Sequence, residues 1–223
     1  MMKTLRSFVR RSGRMTASQQ RALDTLWSKY GLAPENKFDL NTIFGRSAEK
    51  HLEIGFGMGD ALIEMAKAHP EYDYVGVDVH LPGIGHLLIN IEKWQLTNVR
   101  VLNADAVTIL QSHLPAHCLD TVYIFFPDPW PKKRHHKRRL IQPSFVTLLT
   151  YCLKTSGYVQ LATDWEEYAH HMLRTLDECA EFKNLAGKGH FIARPDTRPL
   201  TKFEKRGQKL GHGVWDLIYQ KCE

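Results

Sequence analysis

The sequence predicts an α/β fold: a doubly wound, mostly parallel seven-stranded sheet with helices on both faces. Short apolar segments typical of strands alternate with longer segments of helical periodicity between residues 51 and 179. A glycine-rich turn at residues 55–59, GFGMG, joins the first strand to its helix. The 223 residues suffice for one core of ordinary size, and no repeat or second domain is visible.

The elements are predicted in order along the chain. A helix begins at Thr16 or Ser18 and ends at Gly31, and a polar connector follows over residues 34–46. Strands are expected at 51–54, 74–79, 99–102, 121–126 and 158–162, with Phe191 and 214–219 as candidates for an antiparallel tail. Helices are expected around 62–66, 85–94, 107–110, 145–153 and 165–179. We therefore predict a basic arm at 1–16 and one domain at 17–223.

Composition argues against several protein classes. No apolar run approaches the roughly 18 residues of a membrane-spanning helix. The four cysteines are scattered without a C-x-x-C pair, which indicates reduced thiols and a cytoplasmic protein. The twelve histidines show no metal-ligand spacing, so no metal is predicted. Nothing in the sequence requires a partner protein.

Positive charge is concentrated in two segments. The first 23 residues contain six basic residues and no acid, and residues 132–139 contain six Lys or Arg and two His. Because the formal net charge is only +6, the rest of the chain is acidic. This distribution predicts a polyanionic partner held at defined places. The alternatives are a solvated charged surface and, for the N-terminal segment, an organellar transit peptide.

An acid stands at the end of each of the first five predicted strands. In an open parallel sheet, ligands bind outside the carboxyl ends of the strands. Buried carboxylates are costly unless they are paired, so their repetition at one edge indicates a site. The five acids are Glu53, Asp78, Asp105, Asp128 and Asp164.

The glycine turn favours one kind of nucleoside ligand. Gly55, Gly57 and Gly59 depart from G-x-G-x-x-G because position 60 is Asp, which would repel a pyrophosphate at the helix start. Asp78 lies at about the distance, roughly 20 residues, expected for an acid that binds ribose hydroxyls. With Asp105 placed for an adenine amine, the pattern favours S-adenosylmethionine over NAD. The alternative is a plain strand-to-helix turn.

The segment FFPDPWPKKRHHKRR, residues 125–139, is the most informative part of the sequence. Asp128 and Trp130 form either a capping acid with a core indole, or an active-site acid with an aromatic face that stacks a splayed base. The functional interpretation is favoured because a cationic loop follows directly. A second polar stretch, residues 198–207, is by composition alone more typical of a solvated loop.

Several of these segments, taken together, resemble the bacterial tRNA (guanine-N7)-methyltransferases along nearly the whole chain. The matching motifs are SFVRRSGRMT (7–16), LEIGFGMG (52–59), GVDVHLPGIG (76–85), NAD (103–105), FFPDPWPKKRHHKRRL (125–140), ATDWEEYA (162–169), and RPLTKFEKRG with LGHGVWDL (198–217).

The resemblance implies a class I, Rossmann-like methyltransferase. It would transfer a methyl group from S-adenosylmethionine to N7 of a guanine in the variable loop of tRNA. Asp128 becomes the catalytic candidate, and the cofactor site includes Glu53, Gly55, Gly57, Asp78, Asp105 and Asp128. The implied substrate contacts are Lys132, Asp164, Thr201, Lys202, Phe203 and Glu204. The implied RNA-binding run is Arg134, His135, His136, Lys137, Arg138 and Arg139. The family usually has Glu where this chain has Asp78.

Three other functions remain open on the sequence. An acid-proline-aromatic turn also suits methylation of an exocyclic amine on a base. A non-catalytic RNA-binding module could retain a nucleoside pocket. A nicotinamide oxidoreductase is disfavoured because the third glycine of its motif is absent.

Overall fold

The computed structural model describes residues 13–34, 37–200, 204 and 213–223. The helices are α1 (Ala17–Tyr30), α2 (Leu40–Phe44), α3 (Asp60–Ala68), α4 (Leu81–Lys93), α5 (Ala106–Thr108), α6 (Pro143–Cys152) and α7 (Glu166–Asp177). The strands are β1 (Lys50–Ile54), β2 (Asp73–Asp78), β3 (Val99–Asn103), β4 (Leu119–Phe125), β5 (Leu153–Thr163), β6 (Phe182–Asn184) and β7 (Trp215–Lys221). A π-helical segment (Ile109–His113) continues α5, and a 3-10 helix (Lys133–Arg138) follows β4.

The strands form one seven-stranded sheet in the order β3-β2-β1-β4-β5-β7-β6. Strands β1 to β5 are parallel to their neighbours, and β7 is antiparallel to both β5 and β6. The predicted doubly wound sheet with an antiparallel tail is therefore confirmed.

Both faces of the sheet are covered by helices. Tyr74 and Val101 pack with apolar residues of α1, α3 and α4, whereas their neighbours Val75 and Leu102 pack with α6 and α7. This follows from the alternation of side chains along a strand. With both faces covered, ligands reach the sheet at its strand ends. No helix within the described ranges combines the length and apolarity needed to cross a bilayer.

Helix α1 begins and ends as predicted. Thr16 accepts the N–H of Gln19, and the Gln19 side chain accepts the N–H of Thr16, which makes a capping box. Gly31 follows the last turn, and its N–H donates to the carbonyl of Trp27.

The predicted polar connector at 34–46 contains a helix, α2. Asp39 Oδ1 accepts the N–H groups of Asn41 and Thr42, and Gly45 ends the helix with φ of 70°. The prediction was wrong because α2 is too short to show an apolar period, although its two capping residues are visible in the sequence.

Other boundaries also differ from the prediction. Helix α4 begins at Leu81 rather than residue 85, because Pro82 is tolerated in a first helical turn. Strand β5 begins at Leu153, earlier than the predicted residue 158. The basic run is a 3-10 helix rather than a loop. The sixth strand is β6, not a strand at Phe191, because β6 pairs with β7 over three residues. Beside Phe191, Ile192 makes only an isolated bridge with Asp216.

Candidate active site

The five predicted acids lie where the parallel strands end. Glu53 is the penultimate residue of β1, and Asp78 is the last residue of β2. Asp105, Asp128 and Asp164 follow β3, β4 and β5, each within three residues of its strand. Because these strands are parallel, all five acids lie at one edge of the sheet. The fold thus brings them together as the sequence predicted.

The glycine turn offers bare backbone to open space. Gly55 and Gly57 have φ of 73° and 58°, a region that glycine enters without steric cost. A Cβ atom built on either residue would meet no atom within 4 Å. Behind the turn lies Gly83 of α4, where a Cβ atom would be 1.8 Å from the carbonyl oxygen of Gly57. Helix α4 therefore supports the turn closely from behind.

Asp78 fixes the glycine turn from the other side. Its Oδ2 accepts the N–H of Gly57 at 2.8 Å, and its Oδ1 accepts the N–H groups of Val79 at 2.6 Å and His80 at 2.9 Å. Burial raises the pKa of Asp78, and these hydrogen bonds oppose the rise. A carboxylate has about four acceptor positions, so one remains for a ligand hydroxyl. The sequence did not indicate this second role for Asp78.

Glu53 is buried with an unsatisfied oxygen. Its exposed fraction is 3%, and its Oε2 has no hydrogen-bond partner among the described residues. Burial, with a smaller contribution from the charge of Asp78, raises the pKa of Glu53 to about 8. An unpaired buried oxygen is costly. It fits a ligand that brings a cation or a hydrogen-bond donor, which would also favour the ionised carboxylate.

These residues fit S-adenosylmethionine. Its ribose has hydroxyls for the remaining acceptor position of Asp78, and its ammonium and sulfonium groups match an unsatisfied acid such as Glu53. Asp105 is half-buried at the same edge, where its Oδ1 caps α5 by accepting the N–H of Val107 at 3.0 Å. The described residues bring no three His, Cys, Asp or Glu together in a metal-binding group.

The segment after β4 is a strained turn between two aromatic residues. Phe126 and Trp130 have φ of 52° and 46°, which for bulky side chains costs about 1–3 kcal/mol each. The N–H of Phe126 donates to the carbonyl of Ala162 on β5 at 2.8 Å, which anchors the start of the turn. Asp128 lies midway between two prolines and is half-buried. Strain of this kind persists only where the surroundings fix it, and it is concentrated at functional sites.

The indole of Trp130 is partly covered by the 3-10 helix. The guanidinium carbon of Arg138 lies 4.5 Å from the ring centre, and His135 packs edge-on with the centroids 5.8 Å apart. Trp130 therefore packs the basic helix against the turn. Its ring is not fully available to stack a base, unlike the aromatic face that the sequence suggested. Trp165, which directly follows Asp164, is 40% exposed, and sequence reasoning did not single it out.

The basic run divides into an exposed part and a buried part. Its exposed side chains are those of Lys132, Lys133, Arg134 and Lys137. His135, His136 and Arg138 are half-buried. Partial burial lowers the pKa of His135, and the neighbouring cations lower it further.

Arg139, predicted as part of the RNA-binding run, is buried. Its side chain has no exposed surface and forms an ion pair with Glu167 of α7. A buried guanidinium reaches a phosphate only by leaving that pair.

The segment around Arg198 is a buried ion-pair network. Arg198 donates to Asp216 of β7 at 2.6 and 3.0 Å and to Glu204 at 2.6 and 3.0 Å. Both Arg198 and Glu204 are 1% exposed. A solvated loop is therefore wrong at these two positions, and Glu204, predicted as a substrate contact, is buried as an ion-pair partner of Arg198. Outside the described residues lie Thr201, Lys202 and Phe203.

The end of the predicted N-terminal arm lies beside the site. A Cβ atom built on Gly13 would be 3.3 Å from the ring of His80, two residues beyond Asp78. Residues 1–12, the greater part of the arm, lie outside the described residues. Gly13, the first described residue, thus lies close to the edge where the acids lie.

Comparison with known proteins identifies close relatives. A family model described as "Putative methyltransferase" matches residues 47–217. The chain is 55% identical to a tRNA (guanine-N(7)-)-methyltransferase of Halorhodospira halophila over 96% of this chain and 94% of that protein. It is 53% identical to a protein of the same name from Marinobacter nauticus, over 97% and 92% of the two chains.

Solved structures of similar fold are also methyltransferases. The 16S rRNA methyltransferase KamB matches with a TM-score of 0.63 at 13% identity, covering 87% of this chain and 98% of that chain. A SAM-dependent methyltransferase from Aquifex aeolicus matches with a TM-score of 0.54 at 15% identity, covering 91% and 96%. At these identities the likeness shows the fold alone, which is Rossmann-like.

Proposed function

The chain belongs to the family of tRNA (guanine-N(7)-)-methyltransferases, and from this premise we propose that it methylates N7 of a guanine in the variable loop of tRNA, using S-adenosylmethionine. The observation that supports the assignment most directly is the strained turn after β4. It holds one acid, Asp128, at the edge where Glu53, Asp78 and Asp105 lie. One edge therefore offers both a cofactor cradle and an acid for the acceptor base.

The chemistry at N7 requires no strong general base. Guanine N7 has a lone pair and no proton, so the reaction is a direct displacement that leaves positive charge on the ring. Catalysis is then mainly alignment of the reacting atoms, with electrostatic stabilisation of the charge that develops. Asp128 is the catalytic candidate for that stabilisation. A carboxylate about 4 Å from such a charge contributes on the order of 4 kcal/mol at an effective dielectric near 20, before desolvation.

The cofactor residues are assigned by chemistry. Bound S-adenosylmethionine supplies an electrophilic methyl group. Gly55 and Gly57 allow close approach of the backbone, and Asp78 accepts from a ribose hydroxyl. Glu53 faces a cationic part of the cofactor, and Asp105 accepts from the adenine amine.

The substrate residues lie around this edge. We assign phosphate contacts to exposed cations of the basic run, with Arg134 and Lys137 the foremost, and base or sugar contacts to Lys132 and Asp164. The predicted contacts at Thr201, Lys202 and Phe203 remain part of the proposal. The basic arm at 1–16 adds a second contact with tRNA beside His80. We expect the reaction to take place in the cytoplasm, on tRNA, without an obligatory partner protein.

A methyl-transfer assay tests the proposal. The protein is incubated with isotope-labelled S-adenosylmethionine and tRNA that lacks modifications, and the labelled nucleoside is identified after digestion. We expect 7-methylguanosine. Label on an exocyclic amine would replace the assigned reaction, and bound tRNA without any label would support a binding module instead.

A further inference from the structure

Arg139 differs from every other residue of the basic run in its surroundings. Its neighbours Arg134 and Lys137 are exposed, whereas the Arg139 side chain has no exposed surface. Arg139 closes the 3-10 helix, because its N–H donates to the carbonyl of His136 at 3.0 Å. The last cation of the run is therefore directed into the protein.

The contacts of Arg139 join the turn after β4 to the first turn of α7. Its Nε donates to the carbonyl of Pro129 at 2.9 Å. Nη1 donates to Oε1 of Glu167 at 3.0 Å, and Nη2 donates to Oε2 of the same carboxylate. The guanidinium carbon lies 4.9 Å from the ring centre of Tyr168. A planar fork is needed to make these bonds together, which only Arg provides.

Arg139 contacts the strained turn at the carbonyl of Pro129, which lies between Asp128 and Trp130. Both Phe126 and Trp130 have left-handed backbone. A strained conformation relaxes unless contacts hold it. The Phe126 N–H holds the start of the turn on β5, and Arg139 holds its far end. The position of Asp128 between them is thereby fixed.

Glu167 connects this anchor to the neighbouring loop. It lies in the first turn of α7, where a helix N-terminus favours an anion, and three residues after Asp164. The hydrogen bond from Arg139 holds the pKa of Glu167 below its usual range. Strands β4 and β5 are paired at Phe125 and Ala162, so the loops after them leave the sheet side by side. Arg139 and Glu167 join the turn after β4 to the helix that follows the β5 loop, outside the sheet.

We propose that Arg139 is a positioning residue, which clamps the Asp128 turn to α7 through Pro129 and Glu167 and makes no contact with RNA. The proposal rests on the proposed function, because that function defines the reaction in which Asp128 takes part. Its place in the basic run suggests that Arg139 binds phosphate. In this proposal Arg139 instead holds the turn that carries Asp128.

Two substitutions at Arg139 test the clamp. Arg139→Lys keeps the charge but loses the fork, and Arg139→Gln loses both. Because small misplacement of a reacting group costs up to roughly 10²-fold in rate, we expect kcat to fall by about 10- to 100-fold in both variants. The Kd for tRNA and the salt dependence of tRNA binding should stay at the wild-type values.

Lys137→Gln is the matched comparison from the same helix. Its expected defect is in tRNA binding: KM rises, and the log-log salt slope falls by roughly 0.7–0.9 for one phosphate contact. If Arg139→Gln instead shows this lower slope with unchanged kcat, Arg139 binds phosphate and the clamp is wrong.

Glu167→Gln keeps the test informative if Arg139→Gln fails to fold. Because it affects only the Glu167 end of the clamp, it should lower kcat less than Arg139→Lys does. The double variant should lose no more than Arg139→Lys alone, because both substitutions act on the same Arg139–Glu167 contact. Additive losses would contradict a shared clamp. A kcat loss that only follows lower thermal stability and lower S-adenosylmethionine binding would also overturn it, since that describes a structural residue.

The outcome is separable from that of the proposed function. If the wild-type protein forms no 7-methylguanosine, the proposed function fails. The salt slope of tRNA binding by Arg139→Gln then still decides whether Arg139 contacts RNA.

Discussion

Asp128 is the residue on which the proposed chemistry depends. Its turn is fixed by Phe126 and Arg139, so Asp128→Asn should leave the backbone in place and remove only the charge. We expect single-turnover methylation to slow by up to ~10³, the rate equivalent of about 4 kcal/mol, while tRNA still binds. Rapid-quench kinetics with labelled S-adenosylmethionine measure this. A variant with the wild-type rate would remove Asp128 from the mechanism.

Trp165 is the exposed indole beside the predicted substrate acid Asp164. Stacking of a base on an aromatic ring contributes about 1–3 kcal/mol, so Trp165→Ala should weaken tRNA binding by roughly 5- to 150-fold. Trp94 is the matched control because it is 47% exposed and packs over Lys67, at the end of α4 away from this edge. Fluorescence anisotropy with labelled tRNA gives both affinities. Equal losses at Trp165 and Trp94, or none at Trp165, would contradict this role.

The sequence predicts the acids better than it predicts the buried cations. Glu53 and Asp128 could be placed because one lies at the end of a predicted strand and the other directly follows one, and parallel strands end at one edge. Arg139 and Arg198 could not, because their burial depends on Glu167 and Asp216, which are distant in sequence. From sequence alone, a cation in a basic run is expected to face solvent or to bind phosphate. Only the structure locates a carboxylate partner for it.

At the scale of elements, the cofactor cradle depends on how α4 packs against the glycine turn. A Cβ atom at Gly83 would lie 1.8 Å from the Gly57 carbonyl oxygen. Overpacking costs about 1–3 kcal/mol, so Gly83→Ala should weaken S-adenosylmethionine binding by roughly 5- to 150-fold. Leu81→Ala, an exposed position in the same helix, is the control. Titration calorimetry measures both, and an unchanged affinity in Gly83→Ala would exclude α4 as the support.

Elements with a clear apolar period were predicted well, and irregular ones were not. Helix α7 and strand β1 differ from prediction by one or two residues at their ends. Strand β6 was missed because only Phe182 marks it, and its existence depends on pairing with β7. Local pattern does not reveal pairing of such short strands across the chain.

For the whole molecule, Glu53 makes the free energy of unfolding depend on pH. Its pKa is about 8 when folded, against an ordinary value of 4.5, so between these values the folded state binds more protons than the unfolded state. Raising the pH through this interval therefore destabilises the protein, by up to about 1.4 kcal/mol per pH unit. Glu53→Gln should remove this slope.

Denaturant unfolding between about pH 5 and about pH 8 measures the slope of both proteins without cofactor. Saturating S-adenosylmethionine should also reduce it in the wild type, because a bound cation lowers the pKa of Glu53. Parallel slopes in wild type and Glu53→Gln would show that this carboxyl is not the buried acid of the site.

We assign N7 of a guanine in tRNA as the methyl acceptor, and replacing that nitrogen with carbon tests this assignment. A tRNA transcript made with 7-deazaguanosine has carbon in place of N7 and keeps the exocyclic amine. We predict that this transcript binds about as well as an ordinary transcript and receives no methyl group, while the ordinary transcript is labelled. Methylation of the 7-deazaguanosine transcript at the ordinary rate would place the acceptor elsewhere and exclude N7.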